Sequence, residues 1–296
     1  FSAALVNISR QYPETAQDNI CHIQRLIDTV MSSELRAYDT NRWDEDAMTT
    51  LHGTKSHISY ISHLAWMICG YKTVGGDDRY DAVLSQLCEA MNRRILSSPS
   101  LNLATYPGES IYVPDMLVAI VALKQYSQMA DNRYSSTVEK WLAKARTEWL
   151  DKESGLLVSF LRTDGTQYAD APVKGSYSAL NCYYLTLIDS DFAREQYTLL
   201  KKYLWSEDFV SGLREYRDWT PVLGLDIDAG PLVFGLSPSG TAFLTGPATY
   251  FEDHATRSHL LTTAETAGHT IAYAETRHYL LAHLALVGEP IMLAMR

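Results

Sequence analysis

At 296 residues, 46% of them hydrophobic and 20% charged, the chain is long enough to bury a large core as one big domain or two small ones. Its formal charge of -10 argues against a protein whose partner is nucleic acid, because neutralising phosphates needs a basic face. Cys21, Cys69, Cys88 and Cys182 stand far apart with no CxxC pair, which argues against a zinc knuckle and against a disulfide scaffold.

The chain begins at Phe1 without a methionine, as expected of a processed or trimmed protein, and a removed signal or membrane segment would leave no trace in it. The expected product is soluble, with bacterial cytoplasm and export after signal removal both open. No run reaches the ~18 to 20 apolar residues that a membrane span needs. Apolar residues recur at helical spacing through 20–35, 58–71, 80–96, 116–129, 135–150, 177–188, 192–204, 241–251, 258–267 and 277–286. One β signal interrupts them: "LLVSFLRTDGTQYA" at 156–169, two short alternating runs around the Asp164-Gly165 turn. The expected class is all-α, a single domain over 1–296 with one small hairpin.

The helices alternate in character. Segments 80–96 and 135–150 carry a charged stripe and should keep one wet face, whereas 116–123 and 178–187 have almost no charge and should be buried all round. That alternation describes stacked αα-hairpins of outer and inner helices. The polar stretches before the inner helices share one grammar: "LHGTKSHISYISHLAW", "YPGESIYVPDMLVAI", "DAPVKGSYSALNCYYL" and "DIDAGPLVFGLSPSGTAFL" each join a Gly, hydroxyl side chains and an ionisable group to an apolar helix. Gly53, Gly108, Gly175 and Gly240 follow one another at offsets of about 55 to 67 residues, a loose repeat. If the inner helices run parallel round a closed ring, the four entrances meet at one end of a central funnel, on the positive ends of the helix dipoles.

The segments "YPGESIYVPDMLVAIVALKQY", "DGTQYADAPVKGSYSALNCYYL", "DFAREQY" and "DIDAGPLVFGLSPSGTAF" resemble the loops and inner helices of six-hairpin, (α/α)6-toroid proteins, the architecture of many glycosidases and polysaccharide lyases. The tail "AETRHYLLAHLALVGEPIMLAMR" is similar to the closing segment of uncharacterised bacterial relatives of the linalool dehydratase/isomerase group. The resemblance implies a toroid whose funnel accepts a small molecule or an oligosaccharide.

Within the entrances, Glu109 and Asp115 divide between catalysis and capping: Asp115, directly after Pro114, is the better cap and Glu109 the better acid. Asp226 and Asp228, two apart, point to one side of an extended segment, and either can pair with Glu109 as the two carboxylates of glycoside hydrolysis; a turn motif is the alternative. His52 and His57 are candidates to face the funnel, and the six-residue step from His57 to His63 does not suit a zinc pair. Lys174 and Tyr177 are placed to orient an anionic or hydroxylated substrate, and Tyr106 and Tyr112 to stack on it. No metal or cofactor motif accompanies them. The leading expectation is therefore a carbohydrate-active hydrolase or lyase using Glu109 with Asp226 or Asp228; a cofactor-free dehydratase or isomerase, or a non-catalytic glycan-binding toroid, are the alternatives.

Overall fold

The computed structural model describes residues 1–208, 210–273, 275–280 and 288–295. Over these residues the chain is mainly helical, with 12 α-helices and four two-stranded antiparallel sheets. It divides into two compact units, the first formed by Ser2–Trp149 with Ser159–Ala171, the second by Leu150–Val158 and Pro172–Arg296 together with Phe1.

The first unit holds α1 (Ser2–Gln11), α2 (Ala16–Val30), α3 (Ser33–Trp43), α4 (Ile58–Thr73), α5 (Asp81–Ser97), β1 (Ile111–Tyr112), α6 (Val113–Met129), α7 (Ser135–Glu148) and β2 (Phe160–Leu161). Its core is α4 packed on α6, and every residue of α6 from Met116 to Leu123 is buried, as an uncharged run requires. By contrast α5 and α7 bury one side only. The apolar run 20–35 breaks at Ser32, whose hydroxyl accepts the Leu35 N–H and starts α3.

The second unit holds α8 (Gly175–Thr186), α9 (Ser190–Leu204), β3 (Trp205–Glu207), β4 (Ser211–Leu213), β5 (Leu223–Asp226), β6 (Gly230–Val233), α10 (Pro238–Tyr250), α11 (His254–Gly268), β7 (Thr270–Tyr273), β8 (Thr276–Tyr279) and α12 (Gly288–Met295). Here α8 packs on α9 and α10 around Cys182, Leu200, Leu213, Leu244 and Leu260. Asp189, Ser237 and Asp253 cap α9, α10 and α11 through their side chains.

Three features differ from the sequence expectation. The turn at Asp164-Gly165 forms, with Gly165 at φ +84° and its N–H on the Arg162 carbonyl at 2.8 Å. Yet Phe160–Leu161 takes its ladder from β1, in the register Ile111↔Leu161 and Tyr112↔Phe160, so the excursion is tied to the entrance of α6. The expected helix at 277–286 begins instead as strand, Arg277 to Tyr279 lying in β8; residues 281–286 of that expectation lie outside the described residues. The hairpins of the second unit were not expected, because strands of three or four residues are too short to establish a period of two.

Candidate functional site

The entrances of α4 and α6 meet in the first unit. Pro114 sits in the first turn of α6, where its missing N–H is no loss, and fixes the entry of the Tyr106–Asp115 loop. Ser59 of α4 and Tyr106 of the loop before α6 bring their hydroxyls within 3.5 Å, and Arg42 of α3 lies over the Tyr106 ring at 4.9 Å. The same guanidinium donates to Glu109 Oε1 at 2.9 Å.

Asp115 is not a direct cap. Thr105 Oγ1 accepts the Tyr112 N–H at 3.3 Å, and the Thr105 side chain is hydrogen-bonded in turn to the Asp115 carboxyl. Burial pushes this carboxyl above the ordinary carboxylate range, and neither the nearby His63 nor the Thr105 bond brings it back down. His63 donates Nδ1–H to the Ser59 carbonyl at 2.8 Å, which leaves Nε2 as the ring's other proton-exchanging atom. Tyr38 belongs to the same field: its phenol is pushed up first by burial, then by Tyr106, Asp39, Tyr60 and Asp115.

Next to this cluster an open depression of about 640 Å³ is lined by Gly108, Glu109, Ser110, Tyr112, Arg162, Thr163 and Tyr168. Ser110 and Tyr168 share a 2.7 Å hydroxyl contact, and Arg162 sits 5.7 Å from the Tyr168 ring centre. The lining is hydroxyl-rich and charged, a surface that recognises polar groups.

Of the residues expected at the site, Tyr106, Glu109 and Tyr112 lie together in this loop. His52 is exposed at the surface. His57 goes elsewhere: fully buried in left-handed backbone at φ +48°, it hydrogen-bonds Asp39 Oδ2 through Nδ1 at 2.6 Å and Glu45 Oε1 through Nε2 at 3.2 Å. With both ring nitrogens taken it ties α3 to α4 and offers nothing to a substrate.

Lys174, Tyr177, Asp226 and Asp228 gather in the second unit. Asp226 and Asp228 do converge, but through a turn between β5 and β6 rather than an extended segment, and both reach Lys174 Nζ, at 2.7 and 2.5 Å. Glu215 stands 3.8 Å from the same ammonium, and Tyr177 lies beneath it, 5.6 Å away. Burial alone would raise the Asp226 carboxyl; hydrogen bonds from Lys174, Tyr216, and the Ala229 and Asp228 N–H groups outweigh it and hold the pKa at about 2. Glu215 is shifted the other way, upward, because burial exceeds the help of Ser176, Ser237 and Lys174. Asp226 is thus a saturated acceptor locked in its ionised form, which suits anchoring better than proton transfer.

Sequence reasoning missed the nearness of Asp115 to His63, and the supporting Arg42, Thr105, Arg162 and Tyr168. A signal existed for the first two. Asp115 is the lone carboxylate in "VPDMLVAIVAL" and His63 the lone imidazole in "ISYISHLAWMICGY", and an ionisable group inside a mostly apolar stretch of helix calls for a compensating neighbour. Comparison with protein-family models returns no match, and no curated protein matches the chain.

Proposed function

We propose that the protein is an acid–base enzyme acting on a hydroxylated, saccharide-like substrate, a hydrolase or lyase, with its proton-transfer centre at Asp115 and His63. The observation that carries this reading is the Asp115 carboxyl, half-buried at the start of α6, where desolvation raises it above its ordinary range and the nearby His63 and the Thr105 side chain pull the other way. A carboxylic acid that keeps its proton to higher pH is a general acid, and the imidazole Nε2 can return the proton. Glu109, in a solvent-facing ion pair on the same loop, supplies a second carboxylate in a contrasting environment. The hydroxyl-rich lining of the neighbouring depression favours a saccharide over the apolar alcohol of a dehydratase.

This reading carries with it the (α/α)6 toroid and the shared funnel of the resemblance. Its support is the alternation of all-round buried α4, α6 and α8 with one-sided α5, α7 and α9. The meeting of entrances within each unit adds to it: a Cβ on Gly240 would stand 3.1 Å from the Ser176 backbone. In this reading Asp226 and Asp228 position the β5–β6 hairpin.

The experiment is a screen of neutral and acidic oligosaccharides for new reducing ends or unsaturated products, followed by variants on any hit. Asp115→Asn should lower turnover roughly 100-fold or more, the usual weight of general acid–base catalysis. Because the donor must hold its proton, parental activity should fall as pH rises through the raised Asp115 pKa. An Asp115→Asn enzyme with parental turnover and an unchanged pH profile would end this assignment.

A further inference from the structure

The β5–β6 hairpin turns the usual pattern inside out. Along β5 the alternation of a strand puts Leu223 and Leu225 on one side, with Ile227 following in the turn, and this side is the outer one: they are 77%, 79% and 96% exposed. Val233 lies across the ladder from Leu223, and Val222 and Phe234 extend the patch at the base of the hairpin. The inner side holds Leu232, fully buried, and Asp226, fixed by Lys174, by the Tyr216 hydroxyl at 2.6 Å and by two backbone N–H groups. Those bonds prevent the hairpin from rolling over to hide its apolar side, so the exposure is built in.

From this geometry we infer that the outer face of the hairpin is a self-association surface, stacking on the same hairpin of a second copy of this chain. The six apolar residues expose on the order of 800 Å², close to what each partner contributes to an interface of ordinary size. The patch contains no charge that a different protein would have to complement, and an isologous contact needs only a surface that fits itself. Homodimer interfaces are also the more apolar class. An anionic membrane surface fits poorly: Arg214 and Arg217 are engaged with Asp208, Glu153 and Asp218, Lys174 is consumed inside, and the flanks carry Asp218 and Asp228.

Sedimentation velocity on the full chain, from low to high micromolar concentration, tests the inference. The parental protein should dimerise, and Leu225→Asp and Ile227→Asp should each weaken the dimer at least tenfold. Met129→Asp, which changes an exposed apolar residue on α6, should leave it intact. Circular dichroism confirms that each variant is folded, and Ile227→Ser, a milder change in the turn, stands in for any that is not. A parental protein monomeric throughout, a dimer that survives both hairpin variants, or a monomer that floats with phosphatidylcholine vesicles would each overturn it.

Discussion

Asp226 and Asp115 are the same side chain put to opposite uses by their surroundings. Asp226 accepts from an ammonium, a phenol and two backbone N–H groups, so its pKa sits at about 2 against an ordinary 3.8. In the window between those values the unfolded chain binds more protons than the native one, and stability therefore rises with pH across it. Its contribution is complete above about pH 4 and is lost as pH falls through about 2. Chemical denaturation of the parent and of Asp226→Asn between pH 5 and pH 2 measures this: the variant should be less stable at pH 5 and lose less on acidification. Equal acid-side slopes would mean that the Lys174 and Tyr216 bonds do not persist in solution. For Asp115 the sign reverses. Burial raises its pKa, so ionisation costs native-state stability, and Asp115→Asn should match or exceed the parent in melting temperature at neutral pH while losing turnover.

Helix α8 shows how one position decides the seating of a whole element. Gly175 donates its N–H to the Glu215 carbonyl at 2.8 Å, while the Ser176 N–H and hydroxyl both bond the Glu215 carboxylate. The start of α8 is thereby pressed against the chain at Arg214 and Glu215. A Cβ at 175 would stand 2.0 Å from the Arg214 carbonyl oxygen, a backbone atom that cannot swing aside. Gly175→Ala should therefore destabilise the protein by about 1 to 3 kcal/mol, the cost of forcing extra volume into a packed site. Urea unfolding reads it directly, and a variant within experimental error of the parent would show that the α8 start has room to move.

Across the whole molecule the four cysteines are free, and Cys69, Cys88 and Cys182 are buried in helical packing while Cys21 is exposed. Burial pushes the Cys69 thiol up to about 12 and raises Cys88 and Cys182 as well, so none of the three is a nucleophile in the native state. A thiol-reactive chromophore should titrate Cys21 alone in the folded protein and all four after denaturation, and reducing agent should leave the melting temperature unchanged. Rapid labelling of more than one thiol before unfolding would contradict the packing of α4, α5 or α8. No helix among the described residues is long and apolar enough to cross a membrane.

What the chain determines by itself is local and periodic. The spacing of apolar residues marks α4 to α11 near their observed places, and the scarcity of charge over 116–123 of α6 and over α8 marks those stretches as buried, since an unpaired charge there would cost too much. The turn residues Asp164 and Gly165 and the nearness of Asp226 to Asp228 were legible for the same reason, each being a matter of a few adjacent residues. Tertiary structure alone decided the rest. Asp115 and His63 lie far apart in sequence and come within electrostatic reach of each other only because α4 packs on α6. His57, expected to face the funnel, is buried between Asp39 and Glu45, which offer both its nitrogens a partner, and Asp226 became an anchor because Lys174 folds back onto it. A carboxylate's role is set by what desolvates and bonds it, and those neighbours come from other elements, brought together by packing that no local pattern encodes.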